Sequence, residues 1–409
     1  MSDYPKDWEE VKINNVSPIR GGYAFKSEMY VKNGVPIVRI SNILSNETIG
    51  GDFECYKSLT NDNDFKLFNG SVVIAMSGAT TGKVALLRLK KEAYYYQNQR
   101  VGYFKESDDI NNCFLFYVVS GTSFKEYLNS ILSTGAQPNI SPKQINKFSF
   151  KKPLLVEQKA IADTLMTFDK HIENLEMLIE KKKMIRDGAV EDLMTGKTRL
   201  DGFDGEWEEK KIGELCYTVT KQTGFDYTNY IKDSLKKSKS DHDISFIQNK
   251  DFALRQINMD TDYYIPLDVA EQFPKILLEE KCLLISISGR VGNVGVYEKN
   301  KKAFLGGAIC VLKFSNKKYI DWIMYYLSSK KGSEILIKNE KKSSHKNLTV
   351  NDIRNISIPI PCDLERTNII NIIDEIIDEI QDLEYEKEKI EKIKAGAMDD
   401  LLTGKVRLI

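Results

Sequence analysis

The chain has 409 residues, 42% of them hydrophobic and 29% charged, and its 59 Lys and Arg balance its 59 Asp and Glu to a net charge of zero. That length holds two or three domains at about 150 residues each, and the composition excludes a disordered or fibrous chain. The zero excludes a generic cationic nucleic-acid coat but leaves a local basic face open.

In chain order, residues 1–152 read as short strands among Gly, Asn and Asp turns. Val35-Pro-Ile-Val-Arg-Ile40 and Ser71-Val-Val-Ile-Ala-Met76 are β-rich, and Phe114–Leu132 has a helical pattern. From Pro153 the period changes. Ile161, Leu165, Phe168, Ile172, Leu175 and Ile179 alternate at spacings of four and three, which is the seam of a coiled coil. Residues 201–360 return to mixed strand and turn, with Lys281–Ile287 β-rich, Tyr319–Ile337 helical and 221–243 a polar loop. In 361–409 the seam returns through Ile369, Ile373, Ile376, Ile380 and Leu383, with Lys387 where an apolar residue is due. Each helix runs about 30–40 residues, or about 45–60 Å, and Gly188 and Gly396 are expected to kink or stop it. No apolar run approaches the roughly 18 residues of a membrane span, and the N-terminus lacks a signal-peptide core. Six scattered cysteines without Cys-x-x-Cys spacing fit reduced thiols in a cytoplasmic protein.

The chain repeats itself. Residues 153–200 align without a gap to 361–408, with 18 identities in 48 positions, and both end in Leu-x-Thr-Gly-Lys-x-Arg-Leu. Trp8-Glu-Glu-Val-Lys-Ile13 recurs as Trp207-Glu-Glu-Lys-Lys-Ile212. A shared frame therefore carries two divergent inserts. Two apolar stripes in one chain are most simply satisfied by each other, as an antiparallel pair. The second helix, with ten acidic and five basic side chains over residues 365–394, faces water or protein and not phosphate.

Ser77-Gly-Ala-Thr-Thr-Gly-Lys-Val84 is one residue short of a phosphate loop between its glycines and lacks Ser or Thr after the lysine. The matching Ser288-Gly-Arg-Val-Gly-Asn-Val-Gly295 has no lysine, so a strand–turn–strand with glycines at positive φ is the reading for both. The polar groups Thr80, Thr81, Lys83, Arg290 and Asn293 stay available for contacts. His171, His242 and His345 form no triad, no metal set recurs in both copies, and no catalytic residue is assigned. Tyr94-Tyr-Tyr-Gln-Asn-Gln-Arg100 gathers side chains that read adenine and guanine edges or meet the backbone; the alternative is a strand with one buried face. The loops Thr134–Asn139 and Lys338–Asn347 are candidates for phosphate contacts at equal positions of the inserts.

With the doubled architecture and the two Leu-x-Thr-Gly-Lys-x-Arg-Leu ends, three further motifs carry a likeness to a known family. They are Gly34-Val-Pro-Ile-Val-Arg-Ile-Ser-Asn-Ile43, the Ser77 turn, and Gln137-Pro-Asn-Ile-Ser141 leading to Pro153-Leu-Leu-Val-Glu-Gln158. Together they resemble the specificity (HsdS) subunit of type I restriction–modification systems. The second copy departs at Leu364-Glu-Arg366 and at Ser343-Ser-His-Lys346. The resemblance implies an α+β chain with target-recognition domains at 1–152 and 201–360 and helical spacers at 153–200 and 361–409. Each recognition domain would read one half of a bipartite, asymmetric double-stranded DNA target. The helices would set the gap and dock two methyltransferase subunits, which bring S-adenosylmethionine, and restriction subunits that use ATP and magnesium would join them. The residues expected at the first half-site are Thr80, Thr81, Lys83, Gln97, Asn98, Gln99, Arg100, Gln137 and Asn139. Those expected at the second are Arg290, Asn293, Lys342, His345, Lys346 and Asn347. The alternative from another class is a two-headed protein-binding scaffold dimerising through its helices.

Overall fold

The computed structural model describes residues 5–90, 93–132, 139–253, 255–298, 301–341 and 347–408. The chain divides into two units, one of residues 1–176 with 385–409, the other of residues 177–384.

Both units are built on one plan. In the first, Glu9–Lys12 pairs antiparallel with Ser149–Lys152, so the Trp-Glu-Glu segment closes the domain against its last strand. In the second, Glu208–Lys211 does the same with Ser357–Ile360. The first unit holds two four-stranded sheets. One has Val72–Ala75 between Val101–Phe104 and Val84–Leu86; the other has Tyr95–Gln97 between Val35–Val38 and Lys66–Leu67. The second unit matches it with a six-stranded sheet around Cys282–Ser286 and a four-stranded sheet around Asp243–Ile247 and Ala303–Leu305. Val72–Ala75 and Cys282–Ser286 are buried at every residue, which is why they read as unbroken apolar runs.

Each helical stretch expected in the inserts is two helices. Asn112–Ser120 is followed by Thr122–Leu132, and Lys318–Ser328 by Lys330–Lys341. The second break brings backbones together so closely that a Cβ on Gly332 would stand 2.0 Å from the Tyr326 carbonyl oxygen. The polar stretch 221–243 departs from the expected loop, since residues 224–234 form short helical turns. Ile231, fully buried, anchors them to the apolar core of this part of the unit.

The frame helices are Leu155–Met194 and Asp363–Leu402, 40 residues each. They run through Gly188 and Gly396 without the expected stop, and neither glycine meets any atom where a side chain would be. Within each unit the helices lie side by side and antiparallel. In the first, Lys394 pairs with Asp169 at 2.6 Å and Lys387 with Glu176 at 2.7 Å. In the second, Lys183 pairs with Glu384 at 3.0 Å and Lys182 with Glu379. Lys387 thus occupies its seam position by reaching a carboxylate on the facing helix. The seam itself is divided. Ile161 and Leu165 belong to the core of the first unit and Ile369 and Ile373 to that of the second, with Phe168 packed at the core's edge. Leu175, Ile179 and Ile380 are buried outside those clusters, and Ile172, Ile376 and Leu383 are half-buried.

The Leu-x-Thr-Gly-Lys-x-Arg-Leu ends are latches. Arg407, at the end of the second helix, donates to Glu157 at the start of the first and to Asp7, and its guanidinium lies over the Trp8 ring. Trp8 Nε1 donates to the same Glu157 carboxylate at 3.1 Å. In the second unit Arg199 donates to Glu365, lies over Trp207, and Trp207 Nε1 donates to Glu365 at 3.0 Å. Glu157, and Asp7 after it, hold the Arg407 guanidinium above its ordinary pKa. Among the described residues no helix is long and apolar enough to cross a membrane.

Candidate nucleic-acid interface

Gly78 and Gly82 sit at φ +77° and +88° in the turn between Val72–Ala75 and Val84–Leu86, and Gly289 and Gly292 at +74° and +91° in its counterpart. The glycines serve backbone geometry, as the spacing predicts. The hydroxyls of the first turn face inward. Thr80 Oγ1 donates to the Ile40 carbonyl at 3.2 Å and Thr81 Oγ1 to the Gly78 carbonyl at 2.7 Å, while Lys83 Nζ donates to Ser45 Oγ at 2.9 Å. Thr80 and Thr81, both half-buried, thereby help to shape the turn.

Beside this turn three distant segments meet. Met76 N donates to the Arg100 carbonyl at 3.0 Å and Ile140 N to the Met76 carbonyl at 2.9 Å. These bonds bring Gln99, Arg100 and Asn139 together on an open groove with Ser77–Ala79. All three side chains are exposed. Asn98 is half-buried, with its Oδ1 accepting from Arg100 N. Gln97 is not at the surface. It is fully buried, and its Nε2 donates to the carbonyls of Arg20 and Val101 at 3.0 and 2.7 Å. Its strand is flanked on both edges and covered on both faces, so period-two alternation exposes nothing there. Gln97 is thus a strut of the domain and not a DNA contact. Tyr96 next to it donates to Asp62 at 2.6 Å, and burial, then Asp62, pushes its phenol up to about 12.

Gln137, Lys342, His345 and Lys346 lie outside the described residues. In the second unit Arg290 is exposed at the tip of the matching turn and Asn293 is half-buried, its N–H donating to Ser286 Oγ at 2.8 Å. Asn347 is exposed, and Leu348 N beside it donates to the Ile287 carbonyl at 3.0 Å, the same bridge that Ile140 makes in the first unit. Ile287 N donates to the Ala308 carbonyl as Met76 N does to that of Arg100. Gly307 and Ala308 therefore stand where Gln99 and Arg100 stand in the first unit. One frame carries two different surfaces.

Sequence reasoning missed two groups. Lys12, Asn14, Asn15, Lys143 and Lys147 line one open hollow of the first unit, gathered from two ends of the insert that no sequence window joins. In the second unit a concavity of about 480 Å³ is lined by Gln222, Gln248, Asn249 and Lys250, with Tyr227 and Phe246 as apolar walls. Two matching caps give its place in the shared frame. Arg39 N donates to Asn42 Oδ1 at 3.0 Å, and Gln248 N to Asp251 Oδ2 at 2.7 Å, so Gln248-Asn-Lys-Asp251 is the counterpart of Arg39-Ile-Ser-Asn42. Burial raises the Asp251 carboxyl, and Lys250 pairs with Asp262. Among the described residues no three His, Cys, Asp or Glu are placed to hold a metal ion.

Residues 5–182 and 204–395 each match the family described as the type I restriction modification DNA specificity domain. The chain belongs to that family. It is 31% identical over 213 residues to the type I restriction enzyme MjaVIII specificity subunit of Methanocaldococcus jannaschii, an alignment covering 50% of this chain and 49% of that relative. Against the putative MjaX specificity subunit of the same organism it is 25% identical over 426 residues, covering 100% of this chain and 96% of the relative. The EcoBI specificity subunit of Escherichia coli is 22% identical over 405 residues, at 90% and 79% coverage. Among solved structures, a chain from a study of complex assembly and conformational transition of the type I R-M system superposes with a TM-score of 0.64 at 15% identity. It covers 99% of this chain and 100% of that one. The type I S subunit from M. genitalium gives 0.58 at 16% identity, covering 98% and 97%. At these identities the structural likeness is one of fold: two mixed domains with long paired helices.

Proposed function

We propose that this chain is the sequence-specificity subunit of a type I restriction–modification complex, working in the cytoplasm and without catalysis of its own. Each insert reads one half of a bipartite DNA target, and the paired helices set the gap and carry two methyltransferase subunits. In this reading S-adenosylmethionine, and ATP with magnesium, are bound by methyltransferase and restriction partners. The observation that carries it is the pair of equivalent surfaces: Gln99-Arg100 and Gly307-Ala308 sit on hydrogen bonds that match between the units, yet offer different chemistry. Arg and Gln present donors to base edges, while a glycine and an alanine leave backbone and neighbouring walls to do so. Unlike surfaces on one frame give unlike half-sites. The scaffold alternative has no support from the family match.

The test is to sequence modified adenines in a host carrying this gene and its methyltransferase partner. The expected result is an asymmetric motif of two specified halves around an unspecified gap. A palindromic or continuous motif would overturn the reading.

A further inference from the structure

Among the described residues, nothing satisfies two amide oxygens of the second unit. Gln222 is 3% exposed, and its Nε2 donates to the Leu305 carbonyl at 3.2 Å. Asn249 Nδ2 donates to the Ser288 carbonyl at 2.5 Å. A carbonyl oxygen only accepts, so each amide must turn its nitrogen toward that partner, and the orientation of both groups is fixed. What is left over is Gln222 Oε1 and Asn249 Oδ1, both buried and neither with a hydrogen-bond partner. Native proteins rarely tolerate such acceptors without a reason.

Both residues line the same concavity, between the walls of Tyr227 and Phe246. Gly307 keeps it open, for a Cβ there would stand 3.1 Å from Gln222 Oε1 and cover it. Lys221 and Lys250 are exposed at its rim. Two fixed acceptors inside and cations outside ask for a ligand that donates from its interior and carries negative charge along its edge. Duplex DNA has that arrangement: amino groups in the major groove, phosphates on either side.

We propose that this concavity is a base-reading site of the second unit, with Gln222 Oε1 and Asn249 Oδ1 accepting from the exocyclic amino groups of DNA bases, adenine N6 or cytosine N4. A paired adenine or cytosine keeps one amino hydrogen free in the major groove, so the two oxygens serve two neighbouring bases. By the matching caps the counterpart of Asn249 in the first unit is Ile40, whose side chain offers no acceptor. The proposal rests on the DNA-specificity reading and adds which chemical groups of the second half-site are read, and by what.

The experiment uses the full chain in complex with its methyltransferase partners and duplexes carrying its own modification motif. Each adenine or cytosine of the half-site is replaced in turn by purine or 2-pyrimidinone, which lack the amino group. At one or two positions the loss should weaken binding about tenfold or more, and Asn249→Ala or Gln222→Met should abolish that penalty at its own position. A penalty equally large in wild type and in both variants overturns the proposal and leaves the function reading intact. A wild-type complex that binds every substituted duplex as tightly as the parent overturns this proposal alone; one that binds a duplex without the motif just as tightly overturns the function reading, and this proposal with it. Should Gln222→Met bind no duplex at all, Asn249→Ala, on a half-buried side chain, decides the outcome alone.

Discussion

Replacing Glu157 with alanine should destabilise the first unit and leave the second untouched. The carboxylate is 1% exposed and takes hydrogen bonds from two sides, the Trp8 indole N–H at 3.1 Å and the Arg407 guanidinium at 2.8 Å. The two losses are unequal. Trp8 is 4% exposed, so its N–H has no water to turn to, and an orphaned buried donor costs about 1–3 kcal/mol. Arg407 is 30% exposed and keeps Asp7, so it returns to solvent with little loss. The lost side-chain methylene adds about 0.8 kcal/mol. The total is about 2–4 kcal/mol. Glu157→Gln keeps an acceptor for the indole and should cost about 1 kcal/mol. Urea unfolding read by hydrogen exchange of peptides from each unit separates the two transitions. A loss below about 0.5 kcal/mol, or a glutamine as damaging as the alanine, would refute the argument that the buried indole dominates. Glu365→Ala should act on the second unit and more weakly, because Trp207 is half-buried and its N–H can reach water.

Gln97→Ala should cost the first unit about 2–4 kcal/mol, from two unpaired carbonyls and a void, while the modification motif found by sequencing stays the same. Arg100→Ala, on an exposed side chain, should do the reverse, weakening first-half-site binding about ten- to a hundredfold in a gel shift with unchanged unfolding. Asp62 is held below its ordinary pKa of 3.8 by Lys66 first and then by Tyr96. A depressed carboxyl stabilises the fold above its unfolded pKa, and that contribution is lost as pH falls through the lowered value. Asp62→Asn should therefore flatten the first unit's stability in acid titration below pH 3.8. Matched heptads inserted between Ile172 and Ile179 and between Ile376 and Leu383 add about 10.5 Å, or about three base pairs at about 3.4 Å each. The recognised gap should lengthen by that amount or recognition should be lost, and an unchanged motif would count against the helices as spacers.

The frame was legible because it is written twice and periodically. The spacing of Leu175, Ile179 and Ile380 needs only an α-helix to bring them to one side. What the latches do was not legible. Trp8, Glu157 and Arg407 lie far apart in sequence, and only the fold shows that the repeated Arg-Leu end exists to meet the repeated Trp-Glu-Glu start. The candidate interface was legible by composition and not by position. In Gln97-Asn-Gln-Arg100 the first residue turns inward and the last two outward, a difference set by the strand on which Gln97 ends. Gln222 and Asn249 were invisible for another reason. Both lie in polar stretches, 221–243 and Gln248–Asp251, that read as ordinary loop, and their importance comes from the hydrogen bonds their oxygens do not make.

The zero net charge takes its meaning from this division. Facing charges on the spacer helices are matched in ion pairs, as at Asp169–Lys394 and Glu176–Lys387, and hold helix to helix. The surplus acid of the second helix keeps phosphate away from it. Among the described residues, the surfaces proposed to read bases hold few charges, Arg100 in the first unit and Arg290 in the second, with Lys221 and Lys250 at the rim of the second unit's concavity. In a reader built this way rim cations meet phosphate, an attraction that is the same for every sequence, while discrimination depends on hydrogen bonds to base edges, which are not. Two such surfaces discriminate best when both must be satisfied on one duplex at a spacing that the frame sets.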